Sequence, residues 1–219
     1  MCGRFTVSFS EKDLKNLYNI SSHIIIEPNY NVTPLSNIPV IIRNNESEQL
    51  ELELMQWGLI PSWSKDPSLA SKMINARAET IDTKPSFKKC FLTKRCIIPI
   101  TGFYEWHTTT KQPYYIKPKE GLFLLAGIWE EWKDPLGRSI QSCTIITTDA
   151  NFSLKDIHNR RPVIVEDKEL DIWFNPFTDQ NKLKQLLKPF YNERLEYSEV
   201  SKRVNTPSNN DASLIELLR

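Results

Sequence analysis

Fourteen prolines scattered among short apolar runs constrain this chain more than any other feature. Proline lacks a backbone N–H and fixes φ, so it breaks helices and sits at turns, bulges and strand edges. The pattern implies many short strands joined by irregular loops. The stretch PVIIRNNESEQLELELMQW (39–57) reads as a hairpin, in which Leu50, Leu52 and Leu54 alternate with Glu51 and Glu53 to give one apolar and one charged face. RCIIPI (95–100), GFYEW (102–106), PYYIK (113–117), LFLLAGIWEEW (122–132) and SCTIITT (142–148) are rich in β-branched or aromatic residues and read as further strands. Helical signals are fewer. Ser10 is placed to cap EKDLKNLY (11–18), and Asp179 to cap QNKLKQLL (180–187), where Leu183, Leu186, Leu187 and Phe190 share a face until Pro189 ends it. ASLIELLR (212–219) reads as a last short helix. The expectation is an α+β fold: a single domain over residues 1–219, built on a curved, mostly antiparallel, barrel-like sheet with short helices at its periphery.

Hydrophobic residues at 40% and charged residues at 25% fit a soluble globular chain. No apolar run approaches the roughly 20 residues that span a bilayer, and no signal-peptide core opens the sequence. Membrane roles are therefore not expected. Cys2, Cys90, Cys96 and Cys143 form no CxxC pair and no zinc-ligand spacing, so reduced thiols in a cytoplasmic protein are expected. Net charge is only +1, but residues 65–119 hold eleven Lys or Arg against Asp66, Glu79, Asp82 and Glu105. That stretch reads either as a polyanion site or as a solvated basic face.

Cys2 follows the initiator methionine directly. Removal of Met1 would leave an α-amine and a thiol on adjacent carbons, a 1,2-aminothiol; otherwise Cys2 is a small residue in a frayed terminus. Few bases titrate near neutrality, because only His23, His107 and His158 are present. Glu105 lies within the aromatic strand GFYEW, where desolvation would raise its pKa. Strand alternation puts Phe103 and Glu105 on one face, Tyr104 and Trp106 on the other. Asn75 and Arg77, two apart on an extended segment, face the same way and form a hydrogen-bonding and phosphate-binding pair, or else ordinary loop surface. Trp57, Trp63 and Trp106 belong to the core or stack on unpaired bases.

Taken in order, several segments resemble a known family. They are MCGRF (1–5), YNVTP (30–34), WGLIPSW (57–63), NARAET (75–80), RCIIPITGFYEW (95–106), AGIWE (126–130), TIITTDAN (144–151) and IHNRRPVI (157–164), with VSKRVN (200–205) as a closing motif. This resembles the SRAP family, named for SOS-response-associated peptidase, whose members process abasic sites. The resemblance implies that Cys2 crosslinks to an abasic site in single-stranded DNA, that Asn75 senses the site, and that Glu105 and His158 act on the reacting sugar. It places Gly3, Arg4, Arg77, Thr147 and Arg160 around the damaged nucleotide and its phosphates; Trp63 and Trp106 join the expected DNA contacts as aromatic rings able to stack on bases. Two positions depart from the pattern: Thr101 stands where Asp is expected, and Arg161 where an apolar residue is common. The implied partner is abasic single-stranded DNA, met by a monomer in the cytoplasm, at the nucleoid on damage or in the nucleus of a eukaryote. No metal or small-molecule cofactor is implied.

The chemistry accounts for such residues. An α-amine, with a pKa near 7.8 against about 10.4 for lysine, is about 400-fold more often free to attack an aldehyde at neutral pH. The neighbouring thiol can then close a thiazolidine on the imine and remove the electron sink that strand elimination needs. Glu105 and His158 would move the protons. Two other classes stay open: a thiol protease or autoprotease using Cys2, His158 and Glu105, and a non-covalent single-strand binding module.

Overall fold

The computed structural model describes residues 2–218 except 19, 21–23, 45, 151–156 and 191–193. Met1, His23 and Asn151 thus lie outside the described residues. The strands are β1 (Phe5–Val7), β2 (Asn29–Val32), β3 (Asn37–Arg43), β4 (Leu50–Trp57), β5 (Asn75–Arg77), β6 (Arg95–Ile100), β7 (Gly102–Trp106), β8 (Pro113–Pro118), β9 (Phe123–Lys133), β10 (Ser139–Asp149), β11 (Arg160–Pro162) and β12 (Leu195–Glu199). Helices α1 (Glu11–Tyr18), α2 (Lys88–Thr93), α3 (Leu170–Phe174) and α4 (Gln180–Leu186) are short.

The β3–β4 hairpin forms in unbroken register from Asn37↔Gln56 to Arg43↔Leu50. Strand β3 also pairs β6, β6 pairs β9, β9 pairs β10, and β10 pairs β4, so five strands close into a barrel with no free edge. The β4–β10 pairing is parallel, which makes the barrel mixed. Past that contact β5 takes over the same side of β10, also in parallel, while β11 pairs antiparallel near its end. A second, wholly antiparallel sheet runs β12-β8-β7-β1-β2.

The alternation read along β4 holds only in part. Leu52 is buried but Leu54 is 45% exposed, while Met55 and Trp57, on the face of Glu51 and Glu53, are fully buried. A barrel strand is covered on different faces at different points along its length, so one alternating pattern cannot describe it. Both expected helix caps form. Ser10 and Asp13 exchange bonds at the start of α1, with the Asp13 N–H donating to Ser10 Oγ and the Ser10 N–H to Asp13 Oδ2. Asp179 accepts from the Asn181 N–H at α4, which ends at Leu186 ahead of Pro189. The final helix is a 3-10 turn over Ala212–Ile215.

Strand β7 divides two cores. Phe103 faces the barrel core, and Tyr104 packs with Tyr115, Val200, Val204 and Leu214 on the other side, as alternation requires. Glu105 shares the Phe103 face. Gly102 is needed where it stands, because a Cβ there would lie 2.4 Å from the Tyr115 ring, whose hydroxyl sits 2.8 Å from Thr6 Oγ1. Thr101, which replaces the expected Asp, joins this cluster at 2.7 Å from Thr6 Oγ1 and accepts from Ser8 Oγ.

Candidate active site

The N-terminal segment is docked rather than frayed. Strand β1 pairs with β7 through Phe5↔Phe103 and Thr6↔Gly102, and the Tyr104 N–H donates to the Arg4 carbonyl. Phe5 packs on Trp57 with ring centroids 4.8 Å apart. Cys2 lies ahead of that pairing, is fully buried, and is near enough to Glu105 to feel its charge. Burial above all, then the Glu105 charge, pushes its thiol far above the ordinary value.

Strand β5 supplies the second wall. Its pairing with β10 sets Asn75 opposite Ile145 and Arg77 opposite Thr147, with Ala76 buried between. Asn75 and Arg77 therefore share a side. The Asn75 amide donates to the Cys2 carbonyl at 2.8 Å, and its buried Oδ1 has no partner. A buried amide oxygen without a hydrogen-bond donor costs stability.

Glu105 is 4% exposed. Desolvation raises its carboxyl to about 7, against the opposing pull of the positive amino terminus. Near neutrality it is divided between acid and base, the condition for proton transfer in either direction. Glu105 and His158 line one small crevice with Phe103, Ile116, Ile157 and the two arginines of β11, of about 10 Å³, room for about one water-sized sphere. His158 Nδ1 accepts from the Arg160 backbone N–H at 3.0 Å, which puts the proton of the neutral imidazole on Nε2. Burial first, then the positive terminus and the Arg160 guanidinium, hold its pKa below the usual value.

Cys2, Asn75, Glu105 and His158, which the family resemblance groups, thus lie in contact or as neighbours, from the segment ahead of β1, from β5, from β7 and from the approach to β11. The remaining residues are spread around them. Arg77 is exposed on β5. Thr147 is fully buried beneath it, and the Arg160 guanidinium donates to the Thr147 carbonyl at 2.6 Å. Arg4 donates to Asn31 Oδ1 and to the Val204 carbonyl, and lies 6.0 Å from the Trp106 ring centroid. Trp106 in turn donates to Asn205. Gly3 is half-buried beside them. Trp63 is 61% exposed on the loop after β4, whereas Trp57 is core. Arg161, at the position that departs from the family pattern, is 2% exposed. No group of three His, Cys, Asp or Glu among the described residues is placed to hold a metal.

Several residues of this corner were missed by sequence reasoning. Asn31 accepts from Arg4 and donates to the carbonyls of Val204, Thr206 and Asn209, fastening the chain's closing segment to its beginning. Glu79 and Asp149 bind Arg160. Asn31 sits inside YNVTP and Glu79 inside NARAET, but nothing in either motif reveals which side chain reaches across the fold.

A closed mixed barrel, a buried cysteine at position 2, an amide held against its carbonyl and a desolvated carboxyl nearby are the features by which the chain can be compared with known proteins. The family model described as "SOS response associated peptidase (SRAP)" matches residues 1–207, and the chain belongs to that family. Abasic site processing protein YoqW of Bacillus subtilis (strain 168) is 45% identical over 224 residues, covering 99% of each chain. Abasic site processing protein HMCES of Xenopus tropicalis is 34% identical, over 84% of this chain and 64% of that one. A crystal structure of a Bacteroides thetaiotaomicron protein shares the fold with a TM-score of 0.88 at 31% identity, covering 100% of both chains. No helix among the described residues is long and apolar enough to cross a membrane.

Proposed function

We propose that this protein captures abasic sites in single-stranded DNA through Cys2 once Met1 has been removed. The observation that carries this reading is the bare Asn75 Oδ1 beside the Cys2 backbone, within the field of a carboxyl poised near pH 7. The names of its relatives supply the lesion. The free α-amine attacks the ring-opened aldehyde, forming a C–N bond. Glu105 in its acid form protonates the departing hydroxyl, so water leaves and an imine remains. The Cys2 thiol then adds to the imine carbon, its proton passing through Glu105 to the nitrogen, and a thiazolidine closes with one water lost overall. Asn75 Oδ1 accepts from the amine. His158, presenting Nε2–H, donates to the sugar ring oxygen as the ring opens. Arg77 and Arg160 hold phosphates, Arg4 and Gly3 set the terminus, and Trp63 and Trp106 stack on bases. A site this enclosed takes an unstacked strand rather than a duplex.

The thiol-protease reading fits the geometry less well. A protease needs a depressed thiol pKa and a basic imidazole. Here burial raises the thiol, and His158 already spends its Nδ1 lone pair on the Arg160 N–H. The deciding experiment is an intact mass of the purified protein after incubation with abasic single-stranded DNA. A gain of the DNA mass less one water, on a chain lacking Met1, is expected. No covalent product at all would overturn the reading in favour of simple binding.

A further inference from the structure

Arg4, Arg77 and Arg160, the cations read as phosphate contacts, are not equally available. Arg4 is held by Asn31 and a carbonyl. Arg77 is exposed, and among the described residues no carboxylate lies within ion-pair distance of it. Arg160 is the opposite case. Its guanidinium, 12% exposed, meets Glu79 through two parallel bonds of 2.8 and 3.0 Å and Asp149 at 2.7 Å. Strand β10 sets the two cations close together, since Thr147 lies opposite Arg77 and Asp149 opposite Arg160.

The partners of Arg160 are far more solvent-exposed than Arg160 itself: 43% for Glu79 and 78% for Asp149. They can turn into water while the Thr147 carbonyl keeps the guanidinium in place. A phosphate offers Arg the same forked geometry as a carboxylate. We propose that Glu79 and Asp149 determine specificity by competing with DNA phosphate for Arg160, which rests on the reading above that Arg160 faces the strand. The competition weakens binding to intact and abasic strands alike. Its consequence differs between them, because covalent capture is not limited by equilibrium affinity whereas occupancy by intact DNA is. Intact strands are thereby released and lesions retained.

The test is a double-mutant cycle on the full chain, read by affinity for intact single-stranded DNA across a salt series. Glu79→Gln should tighten binding by about threefold to tenfold with the log–log salt slope kept, because Arg160 already meets its phosphate in the wild-type complex and only the competitor is removed. Crosslinking to abasic DNA should become correspondingly more sensitive to intact competitor. In an Arg160→Gln background the gain should fall below about twofold, because its target is gone. An equal gain in that background would mean that Glu79 acts by plain repulsion, and would overturn the proposal. So would weaker binding by Glu79→Gln. If Arg160→Gln alone leaves affinity and slope unchanged, Arg160 meets no phosphate, and the reading beneath the proposal fails with it. Should Glu79→Gln not fold, Asp149→Asn carries the same expectations.

Discussion

Two buried polar regions of this protein are built on opposite plans. Arg95, at the start of β6, is 7% exposed and donates to four backbone carbonyls: Trp173 at 2.6 Å, Phe91 at 3.0 Å, Leu92 at 2.6 Å and Asn175 at 2.8 Å. These carbonyls belong to the last turns of α2 and α3 or lie just beyond, where helices leave acceptors unsatisfied. Burial lowers the Arg95 pKa to about 10, yet its donors are matched by acceptors that cannot move away. Around Cys2 the plan is reversed: Asn75 Oδ1 is bare, Glu105 is pushed to about 7, and Arg160 leans on carboxylates that solvent can claim. A satisfied buried polar group rigidifies the fold, and an unsatisfied one costs stability.

The sharpest break between the two regions is expected at Cys2. Cys2→Ala should abolish the heat-stable adduct on a denaturing gel while single-strand binding persists, with weak borohydride trapping through the remaining α-amine. A full-yield adduct would place the nucleophile elsewhere. Glu105→Gln comes next, slowing single-turnover crosslinking by roughly 10²–10⁴ with fold and binding kept, as for loss of a general acid–base group. The wild-type rate should be bell-shaped in pH, with its maximum between about 7, where Glu105 loses its proton, and about 7.8, where the α-amine becomes free. Glu105→Gln should lose the alkaline fall. The stability sign follows from the same raised pKa. What Glu105 contributes is present below its ordinary value of 4.5 and lost as pH rises through about 7, so a urea-melt series should show a decline over that window that Glu105→Gln lacks.

Arg95→Leu should do the converse. Stranding four carbonyls is expected to cost on the order of 3–5 kcal/mol in urea denaturation, while molecules that remain folded crosslink at the wild-type rate. A slowed rate there would blur the distinction between the regions. The smallest effect is expected from Arg77→Ala, which should make the log–log salt slope shallower by about 0.7 and weaken intact and abasic strands alike. An unchanged slope would make Arg77 a structural residue.

Much of this was legible along the chain. The β3–β4 hairpin, the caps of α1 and α4 and the two faces of β7 follow from alternation, capping chemistry and proline, all of which act over a few residues. Cys2, Asn75, Glu105 and His158 each had an ordinary structural reading as well, and it was the family resemblance that drew them together as one group. The barrel closure was not readable. It depends on β10 pairing in parallel with β4 and then β5, strands far from it in sequence. Sequence by itself determined the elements and which chemical groups are present, because local sterics and intrinsic pKa values belong to the residues. Only the tertiary structure decided that Asn75 would meet Cys2, that Glu105 would be desolvated to about 7, and that Arg160 would be shared by Glu79 and Asp149. Those outcomes are set by burial and by which strands lie side by side, and both exist only once the barrel has closed.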